Sequence, residues 1–86
     1  MAKKRHRPNA PLIRLREAVN LTQREFAETI GRSWSFVIQA ESGRDTVGKE
    51  TGLLIHERFG KDMDRCGVGL ADILRGRFLD DAGEAA

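Results

Sequence analysis

The chain is short of the features that equip most small proteins with crosslinks, metals or catalytic groups. It has one cysteine, Cys66, so an intrachain disulfide framework is excluded, and a lone thiol suits a reducing compartment. Its two histidines, His6 and His56, have no metal-ligand partner at useful spacing, and Cys66 with His56 is too sparse a set for zinc. No metal and no cofactor is expected. There is no glycine-rich phosphate cradle, no histidine near a nucleophile and no acid pair on an apolar face, which argues against an enzyme. No apolar run approaches the length of a membrane span, and the basic start has no hydrophobic segment behind it. Neither a membrane helix nor a signal peptide is expected, and the location this implies is cytoplasmic. The two prolines, Pro8 and Pro11, both fall in the first 11 residues, and no β-branched alternation is long enough to build a sheet.

What is present is charge, unevenly placed. The net charge of +2 hides a polarised chain: the first 16 residues carry six cations and no acid, and the remaining 70 carry 9 basic and 13 acidic residues. A basic start of this kind suggests a polyanionic partner, against the plainer reading of a solubilising terminus. Residues 1–11 are expected to be a flexible basic arm, 12–78 one folded domain, and 79–86, with Asp80, Asp81 and Glu84, a flexible acidic tail.

Within the folded part the apolar residues recur at helical spacing. Leu12, Leu15 and Val19 mark a first helix over about 11–19, with Asn20 suited to a left-handed stop. Thr22 and Glu25 have capping-box spacing, Phe26, Ala27 and Ile30 form an inward stripe, and Gly31 ends a second helix over 23–30. Ser33 caps a third helix over 34–41, with Val37 and Ala40 inward and Gly43 as its stop. Leu53, Leu54, His56 and Phe59 predict a fourth helix that closes at Gly60, with His56 read as a satisfied core or boundary residue. Gly52 weakens that helix by about 1 kcal/mol relative to alanine. Lys61 to Gly67 reads as a polar connection, and Leu70, Ile73, Leu74 and Phe78 predict a fifth helix. The fold class is therefore all-α, a compact five-helix bundle.

Residues 12–60 resemble the phage-repressor-like, Xre/Cro-type helix-turn-helix family. The resemblance rests on Leu12-x-x-Leu15-Arg16, Leu21-Thr22-Gln23-x-x-Phe26-Ala27-x-x-Ile30-Gly31, Ser35-Phe36-Val37, Glu41-x-Gly43, Glu50-Thr51 and Phe59-Gly60. The run Gly67 to Leu74 resembles the family's fifth helix, displaced by a short insertion at about 61–66. The resemblance implies a lambda-repressor-like bundle of prokaryotic or phage origin. It further implies that helices 2 and 3 form the motif, that helix 3 enters the DNA major groove, and that a homodimer binds an inverted repeat as a transcriptional repressor or controller.

The outward face of helix 3 is the candidate reading head. Trp34 and Ile38 are four apart, as are Ser35 and Gln39, so these share one side. Gln39 can present its amide to adenine, Ser35 can bond several base edges, and Trp34 and Ile38 can pack on thymine methyl groups or sugar. With Ser33 they make the base-contacting set. Relatives carry polar residues at positions 34 and 38, so the resemblance weakens there. Folding of Trp34 or Ile38 onto the core, or a protein contact, is the alternative. For the DNA backbone the candidates are Gln23, which the resemblance places on a phosphate and bracing helix 3, together with Arg24, Arg32, Arg44 and the arm residues Lys3, Lys4, Arg5 and Arg7. Arg16 and Glu41 occupy positions that form a buried ion pair between helices 1 and 3 in the family, and are expected to be structural. Leu70, Ile73, Leu74 and Phe78 are dimer candidates. A second reading is an antitoxin-like interaction module that binds a toxin or another regulator through helix 5 or the acidic tail, with DNA binding secondary.

Overall fold

In a computed structural model the described residues, 7–78, form five helices and no strand: α1 Ala10–Ala18, α2 Gln23–Ile30, α3 Trp34–Ser42, α4 Lys49–Cys66 and α5 Leu70–Arg75. The expectations for Lys3, Lys4, Arg5, His6 and the tail 79–86 lie outside the described residues. Cap chemistry sets the ends of α2 and α3. The Thr22 hydroxyl accepts from the Glu25 N–H at 3.1 Å, and the Thr22 N–H donates to the Glu25 carboxylate at 2.9 Å. The Ser33 hydroxyl accepts from the Phe36 N–H at 3.1 Å. Gly31 and Gly43 stop the two helices at φ 73° and 85°, a region open to glycine and strained for other residues.

The core forms where the stripes converge. Leu12 and Leu15 of α1, Phe26 of α2 and Val37 of α3 are buried against Ile55 and Phe59 of α4. The Phe26 and Phe59 rings stack with centroids 5.0 Å apart. Fully burying side chains of this size contributes about 1.5–3 kcal/mol each. α2 packs chiefly on α3, and α4 runs beneath α1, α2 and α5.

Four expectations are corrected. The arm ends earlier than residue 11, because Asn9 and Pro11 are buried. The Asn9 side chain caps α1 by accepting from the Leu12 N–H at 3.1 Å, and its amide nitrogen donates to the Ile73 carbonyl at 3.0 Å. The fourth helix breaks beside its expected end, at a non-helical Phe59 (φ −125°, ψ 21°), but Gly60 has no positive φ, and a second helical segment continues across the kink to Cys66 and stops at Gly67 (φ 73°). Met63, four residues beyond Phe59, is buried, so residues 61–66 are the helical segment after the kink and not a polar connection. The fifth helix, α5, ends at Gly76 (φ 78°), which puts Phe78 outside the helix, where the Arg14 guanidinium lies 4.4 Å from its ring centroid. His56 is exposed, because the neighbouring Ile55 takes the inward direction.

Gly52 has a steric reason to be glycine. A Cβ there would approach the Leu74 Cδ2 to 2.6 Å and the Leu70 Cδ1 to 3.1 Å, so its helical cost accompanies the close packing of α5 on α4.

Candidate nucleic-acid interface

α2 and α3 are joined by three residues, Gly31, Arg32 and Ser33, and α3 presents one face to solvent. Val37 and Ala40 are fully buried, which turns the opposite side outward: Trp34 is 51% and Ile38 40% exposed, Ser35 and Ser33 are exposed, and Gln39 is half-buried. Neither Trp34 nor Ile38 folds onto the core. The Arg24 guanidinium of α2 lies 5.8 Å from the Trp34 ring centroid, close enough for a cation–π contact on one face of the indole. Arg24 also approaches the Glu28 carboxylate at 3.8 Å, both side chains being largely exposed, a pair worth little in water.

The acid on α3, Glu41, points inward and is neutralised. Its carboxylate accepts from Arg16 Nε at 2.5 Å and Arg16 Nη2 at 3.2 Å, and from the Gln23 amide at 3.0 Å. Arg16 also donates to the Leu21 carbonyl at 2.9 Å. The hydrogen bond to Glu41 holds the Arg16 guanidinium above its ordinary pKa, with burial opposing, so Arg16 stays charged. Three elements meet at this carboxylate: α1 through Arg16, the start of α2 through Gln23, and α3 through Glu41. A fourth link comes from the Asn9 N–H, which donates to the Glu41 carbonyl at 2.9 Å. Composition gave no warning of that link; the signal available was asparagine two residues before a proline, the pattern of a capped helix start.

Other candidates are distributed around this face. Gln23, half-buried, directs its amide nitrogen to Glu41 and so braces α3 from within. Arg32, in the turn before α3, donates to the Thr51 hydroxyl at 3.0 Å and ties that turn to α4. Arg44, just past α3, is exposed, as are the neighbouring Asp45 and Arg7, whose backbone passes beside Gly43. Of the dimer candidates, Ile73 is fully buried in the core of the single chain and cannot serve as a contact, and its carbonyl accepts from the Asn9 side chain. Leu70, Leu74 and Phe78 are half-buried, and Leu53 of α4 is 51% exposed.

A cleft of about 80 Å³ lies beyond the C-terminal end of α3, lined by Arg7, Asn9, Gly43, Asp45, Leu74 and Arg75. It is small beside the roughly 300–1,000 Å³ of typical ligand pockets. Among the described residues no group of three or more histidine, cysteine, aspartate or glutamate side chains could hold a metal ion, and no helix is long and apolar enough to cross a membrane. Compared with protein-family models, curated proteins and solved structures, the chain matches none.

Proposed function

We propose that this protein is a sequence-specific double-stranded DNA-binding transcriptional regulator, a repressor or controller of cytoplasmic location, which places α3 in the major groove. The observation that carries the reading is the solvent face of α3. It combines hydrogen-bonding side chains, Ser35 and Gln39, with apolar ones, Trp34 and Ile38, on a helix whose acid is turned inward and paired. A helix fits the major groove, where amide, hydroxyl and apolar groups each have base-edge partners. Arg24 beside this face, with Arg32 and Arg44 at its two ends, supplies cations where phosphates would flank it. A helix of nine residues buries too little to be placed accurately by itself, and the Arg16–Glu41–Gln23 cluster fixes its attitude.

The protein acts as a homodimer on an inverted repeat, with recognition helices spaced by about 34 Å, one turn of DNA. Leu53, Leu70 and Leu74 provide apolar surface on α4 and α5 for a second copy. Selection of binding sites from random duplexes, followed by gel shifts at roughly physiological salt, tests the proposal. A recurrent inverted repeat bound in preference to random duplex supports it, and no preference refutes it.

A second reading, an antitoxin-like or other protein-interaction module, draws on the same exposed Trp34 and Ile38, since aromatic and aliphatic anchors also suit a protein interface. Protein partner and DNA would then compete for α3, and a partner that leaves the gel shift of the selected duplex unaffected would remove this version.

A further inference from the structure

We infer that α3 reads thymine, through the methyl groups that Trp34 and Ile38 cover, at two positions of each half-site. The inference rests on the DNA-binding function proposed above and specifies what that site recognises. Four observations lead to it. Trp34 and Ile38 are, with Leu53, the exposed large apolar side chains among the described residues, and they sit four residues apart on one helix. Neither can donate to or accept from the base edges that distinguish guanine, cytosine and adenine, apart from the single indole N–H. The base-edge group that an apolar side chain can recognise in the major groove is the C5-methyl of thymine. Cations border this face: Arg24, which also approaches Glu28, lies against the indole, Arg32 and the exposed Arg44, next to Asp45, lie at the helix ends, and the Glu41 charge is cancelled internally by Arg16.

Spacing makes the inference specific. Four residues of helix advance about 6 Å, and successive base pairs advance about 3.4 Å, so a helix lying along the groove sets Trp34 and Ile38 over bases about two steps apart. Ser35 and Gln39, displaced by one residue on the same face, have the same separation and are left to hydrogen-bond the adjoining bases. Arg24 lies over one face of the indole, and the half-exposed ring leaves apolar surface for the base edge.

The test removes only methyl groups. In the site selected from random duplexes, the half-sites are expected to contain thymines about two base pairs apart, and replacement of each by deoxyuridine is expected to weaken binding about fourfold. The same replacement is expected to change little for the Trp34→Ala, Ile38→Ala double variant, whose melting temperature serves as the folding control. A selected sequence that is bound in preference to random duplex but has no such thymines, or that tolerates deoxyuridine without loss, overturns the methyl reading and leaves DNA recognition standing. Absence of any preferred sequence overturns both.

Discussion

Truncation of Glu41 to alanine should unseat α3 before it affects any surface contact. The carboxylate is the acceptor for three side-chain hydrogen bonds, two from Arg16 and one from Gln23, and the Glu41 side chain is only 6% exposed. Removing it leaves the Arg16 guanidinium with the Leu21 carbonyl as its remaining partner inside the protein, and leaves the Gln23 amide without its acceptor. Breaking a buried ion pair by deleting one partner costs about 3–5 kcal/mol. Arg16 is 18% exposed and regains some hydration, which sets the expectation at the low end, about 3 kcal/mol. In a domain of this size each kcal/mol moves the melting temperature by about 4–8 °C, so Glu41→Ala should lower it by about 12–24 °C. Glu41→Gln, which keeps an acceptor oxygen but sets an amide nitrogen near the guanidinium, should fall in between. The double variant Arg16→Met, Glu41→Leu should be more stable than the sum of the single losses implies, because no charge is then stranded. Thermal and urea melts of the parent, Glu41→Ala, Glu41→Gln, the double variant and its two single variants, Arg16→Met and Glu41→Leu, measure this. A Glu41→Ala melting temperature within about 3 °C of the parent, or strictly additive single and double variants, would refute the cluster as the anchor of α3.

Glycine replacements should separate backbone strain from crowding. Gly31→Ala meets open space and should cost only its left-handed strain, about 1–2 kcal/mol, whereas Gly43→Ala should cost clearly more, since its Cβ would fall 2.0 Å from the Arg7 carbonyl oxygen. Asn9→Ala should lose about 1–3 kcal/mol by denaturant melts, because it unpairs the Ile73 carbonyl and the Leu12 N–H together. Trp34→Ala and Ile38→Ala should each stay within about 0.5 kcal/mol of the parent in stability, as exposed positions do, while weakening affinity for a selected duplex in gel shifts.

The legible part of the fold is the part written by caps. Thr22 with Glu25, Ser33, Gly31 and Gly43 are local signals, and α2 and α3 begin and end where those signals lie. At Gly60 the same logic held in part: the helix kinks at Phe59, one residue earlier, but no left-handed stop follows until Gly67. Met63, four residues beyond Phe59, is buried in the helical segment that follows the kink. Phe78 matched a helical spacing but lies beyond the left-handed Gly76, so its place against Arg14 depends on tertiary packing. At the candidate site, the inward set Val37, Ala40 and Glu41 followed from periodicity and resemblance, and the outward set followed by exclusion. The bracing of α3 by Gln23 followed from the resemblance, whereas the link from Asn9 to the Ile73 carbonyl was not legible, because it joins residues 64 positions apart through a single polar atom.

Trp34 is the chain's only tryptophan, so its fluorescence reports on the α3 face without a label. Titration of the protein with its selected duplex at roughly 150 mM salt should quench and shift this emission in a saturable way, and a scrambled duplex should leave it nearly unchanged. Binding of the selected duplex with no change in Trp34 emission would contradict the claim that α3 is the surface that meets DNA.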